Sequence, residues 1–149
     1  MWSFIYRALY HVCWRLKKLL HPKEIAWRDM QKHSPGSPII TKLNKSLRVR
    51  VYPNDVIGHH IYVNGMIEKK ESSFVMNFLK PGMIFFDVGA NLGQYSLLAA
   101  ERVGPTGQVH SFEPSKRIFS ELSFNVELNV FTNICFLNNT AISDKIAIH

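Results

Sequence analysis

Cysteine is scarce in this chain. Cys13 and Cys135 are the only two in 149 residues. So widely separated a pair builds neither a disulfide framework nor a zinc cluster, and it fits a reducing compartment. A long apolar run is missing as well. The stretch from Trp2 to Trp14 is interrupted by Arg7 and His11 and is not followed by a small-residue cleavage site. It is a poor secretion signal and falls short of the ~20 apolar residues that span a bilayer. There is no run of five basic residues, no aromatic RNA-binding strand and no zinc-finger spacing, so no nucleic-acid partner is expected despite a net charge of +7. Repeats and low-complexity segments are absent too. What remains is a chain 46% hydrophobic and 19% charged. That is enough apolar material for one packed domain, and it excludes a disordered or collagen-like chain.

The charge is unevenly placed. Residues 1–50 carry eleven Lys/Arg against Glu24 and Asp29, whereas residues 51–149 carry seven Lys/Arg against nine acids. A mildly acidic domain therefore follows a basic N-terminal region. Within that region Trp2, Ile5, Leu9, Val12, Leu16 and Leu19 recur every three or four residues, the stripe of an amphipathic helix over 2–20. Such a helix docks on its own domain or on another chain. It could also lie at an anionic membrane surface as a peripheral contact. Lys23 to His33 reads as a second short helix, and Ser34-Pro35-Gly36-Ser37-Pro38 as a linker.

Further on, Leu47 to Tyr52 alternates apolar and basic residues like a half-exposed strand. Gly58-His59-His60 has no carboxylate or cysteine at ligand spacing, so it reads as a polar loop and no metal is expected. Glu68 to Leu79 reads as a helix with Phe74, Val75, Phe78 and Leu79 inward. Met83 to Val88 is a continuous apolar run, the pattern of a strand buried on both faces. Helix Leu92–Arg102, strand Gln108–Phe112, helix Ser115–Leu128 and strand Ile134–Leu137 follow. Alternation of this kind with short connections implies a parallel sheet with right-handed crossovers.

The chemistry is concentrated at Asp87-Val88-Gly89-Ala90-Asn91-Leu92-Gly93, where a strand enters a glycine-containing turn that opens a helix. Glycine lets the backbone approach a ligand closely, the helix start offers free N–H donors, and Asn91 tolerates positive φ. Twenty residues after Gly93 stands Glu113, at the end of the next strand, where a carboxylate can accept both hydroxyls of an adenosine ribose. A dinucleotide fingerprint fails, because the third and sixth positions counted from Gly89 are Asn91 and Gln94. A phosphate loop fails for want of Gly-Lys-Ser/Thr. The remaining fit is a nucleoside bearing a cationic sulfonium and an amino-acid tail, with Asp87 near its positive end.

These residues resemble the class I S-adenosylmethionine-dependent methyltransferases, and within them the FkbM family of O-methyltransferases. The matching stretches are Leu79-Lys80-Pro81-Gly82, Phe86 to Gly93 with Tyr95-Ser96, Gly107 to Val109, Phe112-Glu113-Pro114-Ser115, Asn125, Leu128-Asn129 and Ala141 to Lys145. The resemblance implies a Rossmann-like α/β fold that binds S-adenosylmethionine. It implies that Asp87, Gly89, Ala90, Asn91 and Gly93 form the first cofactor motif, that Glu113 holds the ribose, and that Thr140 and Ala141 pass the adenine. It also implies O-methylation of a hydroxyl on a small molecule or glycan; the expected location is the cytoplasm, with a peripheral membrane position as the alternative. On this reading residues 1–33 are a basic helical extension, 34–45 a linker, and 46–149 a partial methyltransferase domain whose cofactor half begins near 83.

Such enzymes continue beyond a third strand, with an Asp-Val-Glu-Gly-like motif that this sequence lacks. The expectation is therefore a methyltransferase fold truncated after its third parallel strand, with no acceptor-site residue to name. The alternative expectation is a non-catalytic adenosine-binding module whose open edge needs a partner chain.

Overall fold

The computed structural model describes residues 21–144. The amphipathic segment 2–20 lies outside them. Helix α1 (Pro22–His33) opens with proline, whose fixed φ suits a first helical turn and whose missing N–H is no loss there. Strands β1 (Ile39–Lys42) and β2 (Arg48–Val51) form an antiparallel hairpin with Ile39 opposite Val51. β1 falls within the segment read as a linker. The Pro and Gly of residues 35–38 mark only the turn that leads into it.

Helix α2 (Val56–Asn64) follows, with Asp55 accepting from the N–H groups of Ile57 and Gly58 as its cap. Here the structure corrects the sequence reading, because His59 and His60 are helical and not a loop. Trp27, 1% exposed, packs between His59 and Tyr62, and His59 Nε2 lies 3.0 Å from Glu24, which fastens α1 to α2.

Helix α3 (Lys69–Phe78) leads to β3 (Ile84–Val88), α4 (Gln94–Val103), β4 (Gln108–Phe112), α5 (Lys116–Leu128) and β5 (Cys135–Asn138). The three strands are parallel in the order β3-β4-β5, so β3 and β5 are both edges. In register, Phe85, Val109 and Cys135 share one face, which α4 helps to cover. On the other face stand Phe86, His110 and Phe136, their rings stacked at 5.1 and 5.0 Å. Phe86 is 60% exposed and Val88 62%. Thus β3 is covered on one face, not two as its apolar run implies. Phe74 and Phe78 also differ from expectation. They stack on each other on the outer side of α3, while Leu79 turns inward.

Helix α5 bridges the two sheets through one stripe spaced four residues apart. Glu121 accepts from Arg50 Nε at 2.7 Å, and Tyr52 donates to its other oxygen. Asn125 Oδ1 accepts from Arg50 N at 2.7 Å while its Nδ2 donates to Leu92 O at 2.9 Å. Asn129 exchanges both bonds with the backbone of Arg48. These side chains satisfy the free edge of β2 as a neighbouring strand would. Asn125 is fully buried, so Asn125→Ala leaves two buried backbone groups unpaired. We expect a loss of about 2–4 kcal/mol in urea unfolding. For half-buried Asn129→Ala, where water can replace the amide, we expect about 1 kcal/mol.

Candidate cofactor site

The loop between β3 and α4 is held by the end of β4. Gly89 N and Ala90 N both donate to Phe112 O, at 2.9 and 3.0 Å, and Asn91 N donates to Glu113 Oε2 at 3.0 Å. Three successive loop N–H groups are thereby bound to two successive residues. The turn needs positive φ at Gly89 (+81°), Asn91 (+51°) and Gly93 (+93°). Asn91 sustains this with its own side chain, whose Oδ1 accepts from Leu92 N at 2.8 Å.

The two glycines differ in kind. A Cβ on Gly89 would meet nothing within 4 Å, so that flank of the loop is open space. A Cβ on Gly93 would stand 2.7 Å from Leu122 Cδ1, so Gly93 lets α4 seat against α5.

Glu113 is 6% exposed and each of its oxygens already accepts one backbone bond, Oε2 from Asn91 N and Oε1 from Ser115 N. A carboxylate oxygen has two acceptor directions, so one on each oxygen remains for a diol. Asp87 contributes to the lining of a cavity beside this loop and is otherwise buried. It is 7% exposed, its Oδ2 accepts from Ser96 Oγ at 2.6 Å, and Ser96 N bonds it as well. Asp87 therefore caps the first turn of α4 from below. With the Ser96 proton on Asp87, Ser111 Oγ is the donor to Ser96 Oγ across 2.7 Å. Burial raises the Asp87 pKa, and the Ser96 bonds pull it back only in part. Cys135, behind Asp87, has its thiol pushed up to about 12 by burial and then by that carboxylate, which makes it unreactive.

The structure brings Asp87, Gly89, Ala90, Asn91, Gly93 and Glu113 together at the carboxyl ends of β3 and β4. Thr140 and Ala141 lie exposed just past β5, at the same end of the sheet. Asn139 ties that segment to the site, its Nδ2 donating to Glu113 O at 2.8 Å. Ser96 and Asn125 stand in the sequence only as part of the resemblance and Ser111 not at all; their bonds make all three supports of the site. The sequence signal for the two serines is one on the third residue of the helix and another in register with Asp87 on β4.

No family model matches the chain, and no curated protein matches it by sequence. Its fold matches solved structures. An S-adenosylmethionine-dependent O-methyltransferase from Thermotoga maritima superposes with a TM-score of 0.50 at 20% identity, over 80% of this chain and 46% of that one. TYW2 from Pyrococcus horikoshii, in complex with MeSAdo, gives 0.55 at 19% identity over 70% and 36%. The complex of aTrm5 with tRNALeu gives 0.54 at 13% over 69% and 28%. The chain has the Rossmann-like class I fold of S-adenosylmethionine-dependent methyltransferases. It spans less than half the length of each of these proteins.

Two substitutions separate the glycines. Gly89→Ala should cost about 1 kcal/mol, the strain of positive φ alone, whereas Gly93→Ala adds overpacking and should cost about 2–4 kcal/mol in urea unfolding. Asp87 gives a pH signature. Because its folded pKa lies above its unfolded one, the burial penalty is fully present above the folded value and is relieved as pH falls through it. The stability of Asp87→Asn relative to the parent should therefore fall on acidification, as paired urea midpoints at neutral and mildly acidic pH would record.

Proposed function

We propose that this chain binds S-adenosylmethionine at the β3–α4 loop and supplies the cofactor-binding part of a methyltransferase of the FkbM type. The observation that carries the reading is Glu113, set at the end of β4 with one acceptor direction free on each oxygen, beside a loop whose open side is Gly89. That pair of acceptors suits vicinal ribose hydroxyls, and the missing Cβ lets a sugar approach the backbone. The bound cofactor supplies an electrophilic methyl group on a sulfonium. The chain's own part is to orient it. Glu113 fixes the ribose, the loop sets the distance, and buried Asp87 contributes negative potential below the cationic centre. Thr140 and Ala141 are proposed to flank the adenine, consistent with their position past β5.

For the acceptor we propose a hydroxyl on a small molecule or glycan, as the family resemblance implies. The solved O-methyltransferase of the same fold supports transfer to oxygen. An RNA acceptor is the second reading, favoured by a neighbour of this fold bound to tRNALeu and by the eleven Lys/Arg of residues 1–50. Transfer of a radiolabelled methyl group to glycan and RNA pools, compared side by side, distinguishes the two.

Binding is tested by calorimetry with S-adenosylmethionine. The parent should bind, and Glu113→Ala should weaken binding by about tenfold or more, the loss of charge-assisted hydrogen bonds. Equal affinity in parent and variant would remove the ribose role. Absence of heat with the parent would remove the cofactor reading.

A further inference from the structure

Gln94 is almost fully buried directly after Gly93, and its carboxamide makes no use of the crevice. It pairs with both backbone groups of a single residue across the fold. Its Oε1 accepts from Ile67 N at 2.9 Å, and its Nε2 donates to Ile67 O at 3.0 Å and to Ser72 Oγ at 3.1 Å. Ser72, also fully buried, donates to the same Ile67 carbonyl. The neighbouring Tyr95 hydroxyl donates to Glu68 Oε2 at 2.7 Å. Glu68 itself is held at φ +47°, a left-handed conformation that a non-glycine residue keeps only when its surroundings enforce it. The start of α3 is thus latched onto the first turn of α4 by side chains that sit next to the cofactor loop.

The order of elements gives the latch its use. Along the strand ends the order is β5, β4, β3, and residues of α3 and of β3 line one cavity beside the loop. A ligand with its ribose on Glu113 at the end of β4 and its middle over Gly89–Gly93 at the end of β3 carries its other end toward α3. There the cavity, of about 640 Å³, opens, mostly apolar in its lining, with Lys70, Glu71, Asp87 and Tyr95 as its polar groups. Lys70 and Glu71 bring both signs of charge to it, as a zwitterionic amino-acid end requires.

We infer that Gln94 is a positioning residue that holds α3 as the wall for the amino-acid end of the cofactor, and so sets affinity for that end without touching it. The inference rests on the reading of this loop as an S-adenosylmethionine site. The latch itself is testable without ligand. Gln94→Met keeps the side-chain length and removes all three bonds. Amide hydrogen exchange should then accelerate by about tenfold or more at residues 67–72 while β3, β4 and α5 keep their protection. Unchanged exchange at 67–72 would overturn the latch.

The functional half compares two ligands on parent and variant by calorimetry. Gln94→Met should weaken S-adenosylmethionine by about tenfold and leave adenosine, which lacks the amino-acid end, within about threefold. Equal losses for both ligands, or for neither, would overturn the positioning role. A parent that binds neither ligand defeats the cofactor reading, and with it the role of Gln94 in affinity, even where exchange shows the latch to exist.

Discussion

The fold turns on the end of β4 holding the loop that follows β3. Phe112 O takes two loop N–H groups and Glu113 takes the third, so the backbone of a tight, positive-φ turn is satisfied without water. A turn of this kind is costly when its donors are buried and unpaired. Here two donors are paired by the carbonyl of Phe112 and the third by Glu113, the residue that would also hold a ribose. The shape of the loop and the placing of Glu113 are thus joined through Asn91 N.

Around that arrangement the supports come from every side. Asp87 and Ser96 cap α4 from beneath, Ser111 closes the chain of hydroxyls, and Asn125 reaches from α5 to the carbonyl of Leu92. Gly93 permits the close seat of α4 on α5. On the outer side, Gln94 and Tyr95 bind the start of α3. The parallel sheet is filled on the face toward these helices. Its other face carries the ring stack of Phe86, His110 and Phe136, which shields part of its own apolar area by self-contact.

The strand–loop–helix unit and Glu113 were legible in the sequence because their signals are local: residue type at fixed spacing, with glycine and asparagine where φ must be positive. Three features were not legible, each because a distant partner decides it. Phe74 and Phe78 fit the inward stripe of an amphipathic helix, but the packed side of α3 carries Ser72 and the Gln94 latch, and both rings stay exposed, Phe74 at the cavity beside β3. Ile39–Lys42 is too short to signal a strand until β2 pairs with it. The bond from Ser96 to Asp87 is hidden as well, because it depends on how α4 seats against the end of β3. His59 and His60 lie in a helix that Asp55 caps, and an Asp just before the segment is the local signal for it.

The central claim is that a cofactor lies across the ends of β4 and β3 and is held at the loop and Glu113. A titration of the isotopically labelled chain with S-adenosylmethionine, followed by amide chemical shifts, tests it most directly. The account predicts saturable shifts concentrated at Gly89, Ala90, Asn91 and Gly93 and at Glu113. Shifts confined to other parts of the fold, or none at saturating ligand, would contradict it.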